Sequence, residues 1–195
     1  MRNRRRNCSC CCESRCCPPT NCSHNAINMP VQEINPASFF SSFDPRTDRS
    51  YASFWNTCPA EIETGEDFEF NQAGICTPDI MLVSPRTIKI CTAGIYKISY
   101  RVNISVEGVA DSTELINHKV SLYVNCLQQP NSQAGFSMQT PSVTSCIPLN
   151  GDALVFLPAN ACLNLVNESQ CVSGSTIKTC TSGGNTVSLY LFRVN

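Results

Sequence analysis

Residues 94–108 read GIYKISYRVNISVEG, and this stretch decides the fold class. Every second residue from Tyr96 to Val106 is apolar, and the positions between them, from Lys97 to Ser105, are polar or charged. Successive side chains of a β-strand point to opposite faces of a sheet. The alternation therefore predicts a strand with one buried face and one solvated face.

The same signal recurs along the rest of the chain. HKVSLYVN alternates at Val120, Leu122 and Val124, and GDALVFLP, ACLNLVN and TVSLYLFRV are further predicted strands. These short apolar stretches are separated by Gly, Pro, Asn and Ser, and almost none has a helical period. Several short strands with turn signals at near-regular spacing predict an all-β sandwich or jelly roll.

The last predicted strand is apolar on both faces. A strand buried on both sides needs a second covering surface, which one small sandwich does not provide, so we expect another subunit to cover it. Tyr190 and Phe192 are accordingly the candidate subunit-interface residues. One face carries Val187, Leu189 and Leu191, and the other carries Tyr190, Phe192 and Val194.

Charge and hydropathy exclude several classes of partner. Only 15% of the 195 residues are charged and the formal net charge is −1, so no nucleic-acid-binding surface is expected. The arginines of the opening MRNRRRN indicate a short solvated basic terminus. No apolar stretch suits a signal peptide or a membrane-spanning helix, which predicts cytoplasmic synthesis and no membrane partner.

The chain contains fifteen cysteines, far more than a permanently reduced protein normally carries. Seven lie in the first 22 residues, within a polar segment that we expect to form an extended tail over residues 1–47, ahead of a single domain over residues 48–195. These seven are the candidates for intermolecular disulfides: Cys8, Cys10, Cys11, Cys12, Cys16, Cys17 and Cys22.

The domain holds the other eight cysteines, which are candidates for disulfides within it. They could also receive tail cysteines from a neighbour or remain buried thiols, and connectivity does not follow from sequence. Because the total is odd, at least one thiol stays reduced or bonds between chains. The eight are Cys58, Cys76, Cys91, Cys126, Cys146, Cys162, Cys171 and Cys180.

Three chemistries compete for the tail. Zinc sites use paired cysteines at characteristic separations, and the spacing in NCSCCCESRCC, even with His24 nearby, lacks a second such pair. A thioredoxin-type centre needs a CxxC at the start of a helix in a βαβ unit, which an all-β body does not supply. Covalent cross-linking between chains is therefore favoured, and no metal or other cofactor is expected.

Catalytic motifs are also missing from the sequence. The two histidines are His24 in the tail and His118 at a strand edge, and no hydrolase, metalloprotease or phosphate-binding pattern accompanies them. A Cys–His pair using His118 is the remaining enzymatic alternative. We predict that the protein is not an enzyme.

Several segments, taken in order, resemble one family. They are YASFWNT at residues 51–57, ETGEDFEFNQAG at 63–74, GIYKISYRVNI at 94–104, LNGDALVFLP at 149–158 and VSLYLFRV at 187–194. Together they resemble C1q/TNF-like jelly-roll domains, most closely the C-terminal domains of collagen-like glycoproteins of bacterial spore surfaces. The resemblance implies a compact homotrimer.

Two features depart from those glycoproteins. No Gly-X-Y repeat precedes the domain, so the collagen stalk is absent. The tail instead is similar to the cysteine-bearing N-terminal connectors of endospore appendage subunits. A spore protein is made in the mother-cell cytoplasm and later meets an oxidising exterior, which would reconcile cytoplasmic synthesis with disulfides.

The sequence thus predicts a structural subunit of a spore-surface fibre or layer, with trimers joined head to tail through the tail. The alternative is an adhesion or binding module anchored by its tail to a spore coat or fibre, with exosporium or coat proteins as further candidate partners.

Overall fold

The computed structural model describes residues 49–108, 115–169, 176–181 and 184–194. The predicted tail over residues 1–47 lies outside them. Within the described ranges the chain is almost entirely β, and no helix there is long and apolar enough to cross a membrane. The strands are β1 Tyr51–Asn56, β2 Glu61–Ile62, β3 Gln72–Cys76, β4 Ile80–Ser84, β5 Thr87–Ile90, β6 Gly94–Val106, β7 Leu115–Val124, β8 Leu127–Gln128, β9 Ala134–Gln139, β10 Ser145–Leu157, β11 Ala161–Asn167, β12 Ile177–Lys178 and β13 Val187–Arg193, with a short 3-10 helix at Pro130–Ser132.

Two antiparallel sheets form the sandwich. The five-stranded sheet has the order β10-β6-β13-β1-β3. In the six-stranded sheet the order is β4-β5-β11-β7-β8. Strand β9 also belongs to this sheet and pairs with β7. A two-stranded ribbon of β2 and β12 accompanies them. The two packed sheets confirm the predicted all-β sandwich, and strands distant in sequence, such as β1 and β13, are neighbours in it.

Strand β6 contributes one face to the core, as its alternation predicts. It pairs with β10 along its full length of 13 residues and with β13 on its other side. Fully burying one aliphatic or aromatic side chain stabilises a fold by about 1.5–3 kcal/mol, so this face is a large part of the core. Its inward residues are all buried: Tyr96, Ile98, Tyr100, Val102, Ile104 and Val106.

Tyr100 connects the two sheets through the core. Its hydroxyl donates to the carbonyl of Ser132 at 2.6 Å and lies 3.1 Å from the carbonyl oxygen of Val120 in β7. Burial raises the pKa of this phenol, so it remains a donor throughout the physiological range. The cross-strand neighbour of Tyr100 is Gly151, where a Cβ would lie 2.2 Å from the ring carbon Cζ. Glycine at position 151 therefore leaves the space that the Tyr100 ring occupies.

Candidate functional site

The outward face of the five-stranded sheet carries a group of exposed apolar side chains, which we call the apolar patch. Its aromatic members are Phe156, Tyr190 and Phe192, exposed by 65%, 51% and 44%. The whole patch consists of Ile95, Leu154, Phe156, Tyr190, Phe192 and Val194.

Strand register makes the patch continuous. Phe156 lies opposite Ile95, and the next outward-facing row runs from Leu154 across Lys97 to Phe192. The amide of Val194 donates to the carbonyl of Ile95 at 2.8 Å, which extends the patch past the end of β13. Six neighbouring apolar side chains on one sheet face exceed the scattered exposure normal for a monomer, and such areas mark interaction sites.

Both faces of β13 thus agree with the sequence analysis. Val187, Leu189 and Leu191 are buried against the six-stranded sheet, while Tyr190 and Phe192 point away from the core. No described element covers that outward face. The role of Tyr190 and Phe192 between subunits remains a prediction.

The domain is anchored at its start beside this patch. The carbonyl of Ser50 accepts from the amide of Arg193 at 2.7 Å, and the Ser50 hydroxyl donates to the carboxylate of Asp79. Burial by itself would raise the pKa of Asp79, but donors from Ser50, Thr77 and Thr92 outweigh it and lower the pKa. The ionised Asp79 carboxylate therefore holds Ser50 in place just before β1.

Two of the eight candidate domain cysteines form a disulfide with each other. Cys146 in β10 bonds to Cys180, which follows β12, across a Cα–Cα distance of 6.1 Å. The bond closes a sequence separation of 34 residues, for which loop-closure entropy gives about 3–4 kcal/mol of stabilisation. Cys91 and Cys162 are also disulfide-bonded, whereas Cys171 lies outside the described residues.

Of the remaining described candidates, Cys58 and Cys76 are free thiols and do not form domain disulfides. Cys58 lies beside Asn71, whose Nδ2 is 3.4 Å from its Sγ, while Cys76 is at the far end of β3. An extended strand of five residues places Cys76 about 16 Å from Asn71, and hence far from Cys58. The Cα atoms of two disulfide-bonded cysteines lie within ~7 Å of each other. Cys126 occupies the tight turn between β7 and β8, where its φ is 67°.

The two thiols nearest β3 should differ in reactivity. We expect Cys58 to react with iodoacetamide at pH 7.5 at least about tenfold faster than Cys76, because Cys58 is exposed and burial raises the pKa of the Cys76 thiol. Peptide mapping of a time course by mass spectrometry measures both rates. The rates should converge in denaturant, and equal rates in the native protein would contradict the burial of Cys76.

His118 has a structural environment. It is buried, its Nδ1 lies 3.3 Å from Ser169 Oγ, and its ring packs edge-on against Phe136 at 5.6 Å. Burial lowers the pKa of the imidazole, so it is neutral near pH 7. The other histidine, His24, lies outside the described residues. Over the ranges that the structure describes, no three His, Cys, Asp or Glu side chains converge on a metal-sized site.

The same outward sheet face also contains an open polar cavity, which we call the polar groove. Its volume is about 400 Å³. It adjoins the apolar patch at Tyr190, which belongs to both. The sequence analysis missed it, because its side chains come from three strands and a loop. The main lining residues are Ser99, Arg101, Asn150, Asp152, Ser188 and Tyr190.

Comparison with known proteins identifies the fold of this chain but no narrower family. No family model matches the chain, and no curated protein matches it by sequence. Among solved structures, Eiger TNF from S. frugiperda is 10% identical, with 75% of this chain and 92% of that chain covered and a TM-score of 0.51. Murine APRIL at pH 8.5 is likewise 10% identical, with 75% and 99% covered and a TM-score of 0.51. The chain therefore has the predicted C1q/TNF-like jelly-roll fold.

Proposed function

We propose that this protein is a structural subunit of a bacterial spore-surface fibre or layer, assembled from jelly-roll trimers that are linked by disulfides of the N-terminal connector. The observation that carries the proposal is the apolar patch. Its six side chains are exposed in one chain, and at about 25 cal/mol per Å² their coverage by a second copy would favour association. The resemblance to C1q/TNF-like domains makes a trimer the expected assembly.

The position of the connector supports linkage at the same surface. The chain enters the sheet at Ser50 and Tyr51, and Tyr51 lies opposite Phe192 of the apolar patch. A tail attached there begins at the edge of the proposed contact between subunits. Seven cysteines within the first 22 residues give it more thiols than one domain needs. A head-to-tail contact that does not close into a ring propagates as a fibre.

Negative-stain microscopy of the full-length, oxidised protein tests this directly. We expect filaments that survive boiling and collapse when boiling is combined with reductant, because intermolecular disulfides make an assembly resistant to heat. Deleting residues 1–22 should abolish the filaments and leave a soluble trimer, which shows that the domain folds without them. Filaments that resist reductant, or a deletion variant that still polymerises, would contradict the proposed linkage.

A second candidate function is a terminal binding module, held by its tail on a spore coat or fibre. The polar groove favours this second function, since a subunit with a purely structural role needs no open cavity. The two candidates differ in stoichiometry. A fibre subunit polymerises by itself, whereas an anchored module stops at trimers in the same microscopy.

A further inference from the structure

The polar groove arises from the cross-strand register of β10, β6 and β13. One outward-facing row runs Asp152, Ser99, Tyr190, and the next runs Asn150, Arg101, Ser188. Ser99 and Ser188 have the shortest side chains in these rows, so the larger side chains beside them form the walls of a concavity. The resulting concavity of about 400 Å³ lies within the range of roughly 300–1,000 Å³ usual for ligand sites.

Hydrogen bonds hold the groove's charged groups in place. The Ser99 hydroxyl donates to the Asp152 carboxylate, and Arg101 Nε donates to Asn103 Oδ1 at 3.0 Å. Asn103 in turn donates from Nδ2 to the carbonyl of Asn185 at 2.6 Å. A site whose side chains are already positioned loses less conformational freedom when a ligand binds.

A disulfide-bonded cysteine contacts one residue of the groove lining. The amide of Cys180 donates to the carbonyl of Asn103 at 3.0 Å, and the Cys146–Cys180 bond ties the same segment to β10. Asn103 of the groove lining is therefore hydrogen-bonded to a residue that the disulfide attaches to β10. The groove is built into the oxidised domain.

The chemistry of the lining selects one class of ligand. One guanidinium and one carboxylate give no net charge, so neither an anion nor a cation alone satisfies both. An apolar ligand would remove water from Arg101, Asn150 and Asp152 without replacing the hydrogen bonds to that water, which is costly. A neutral ring with several hydroxyls can accept from Arg101 and donate to Asp152.

We propose that the polar groove binds a neutral saccharide unit. The inference goes beyond the proposed structural function and gives the ligand class for the alternative binding function. It requires that the groove remains open beside the contact between subunits, and it does not depend on fibre formation.

Saturation-transfer NMR and calorimetry with the full-length, oxidised protein provide the test. The probes are a neutral hexose, a 6-deoxyhexose and an N-acetylhexosamine, each offered alone up to high millimolar concentration. We expect at least one to bind saturably. Arg101→Ala and Asp152→Ala should each weaken its affinity about tenfold or more, because each removes a hydrogen bond to a charged group. Lys97→Gln, a charge removal on the same strand outside the groove, should leave the affinity unchanged.

The outcomes separate this inference from the proposed function. Absence of saturable binding by all three sugars, or binding that both groove variants retain, overturns the saccharide site. If Arg101→Ala or Asp152→Ala instead releases subunits in light scattering, a neighbouring copy fills the groove, which overturns the saccharide site and supports the assembly. Saccharide binding by a protein that is monomeric overturns the trimer and supports the site.

Discussion

Replacing Tyr190 and Phe192 together with serine should release monomers from the trimer. Both rings lie on the outward face of β13 in the apolar patch, and aromatic residues at the centre of an interface often contribute 2 kcal/mol or more each. Losing about 4 kcal/mol raises a dissociation constant roughly a thousandfold. Size-exclusion chromatography with light scattering should then report the mass of a single shortened chain, which is below the 21.4 kDa of the full-length protein and one third of the trimer mass. The measurement uses the protein without residues 1–22, so that fibre formation does not interfere.

The matched control is Leu127→Ser. Leu127 is exposed like the two rings, but it lies in β8 of the six-stranded sheet, away from the patch. We expect this variant to keep the trimer mass, because exposed apolar area outside the contact does not hold subunits together. A trimer that persists in the Tyr190 and Phe192 variant would exclude this face as the subunit contact. Circular dichroism should show the same β content in all three proteins.

Gly151→Ala should destabilise the domain by about 2–4 kcal/mol. The new methyl group would begin 2.2 Å from Tyr100 Cζ and 2.4 Å from the hydroxyl oxygen, so the ring must move. Overpacking a core typically costs about 1–3 kcal/mol, and displacement of the ring also weakens the hydrogen bond to Ser132. Urea unfolding followed through the single tryptophan, Trp55, at equal protein concentrations measures the difference.

A double-mutant cycle assigns that cost to the tyrosine ring. In a Tyr100→Leu background the distal ring atoms are gone, so Gly151→Ala should cost much less than it does beside Tyr100. Contacting residues commonly show coupling of about 0.5–3 kcal/mol. Equal costs in both backgrounds would mean that the backbone at position 151, and not the ring, requires glycine.

Local sequence pattern predicted the strands and their faces well. The alternation in residues 94–108 located β6 and its six buried side chains, and the doubly apolar 187–194 segment placed Tyr190 and Phe192 on the face opposite the core. These features follow from covalent geometry, because side chains of an extended chain alternate in direction whatever their partners are. The resemblance over five segments added the jelly-roll topology.

Other features depend on which strands become neighbours. The pairing of Gly151 with Tyr100 arises from cross-strand register, and the Cys146–Cys180 bond and the thiols at Cys58 and Cys76 depend on how segments far apart in the chain are placed in space. The polar groove has the same origin, since its residues converge from β10, β6 and β13. The sequence by itself therefore determined the strands, their buried faces and the outward aromatic surface, through a period of two residues that each strand carries locally. Only the tertiary structure decided the disulfide, the core glycine and the groove, because register between distant strands is set by packing of the whole sandwich.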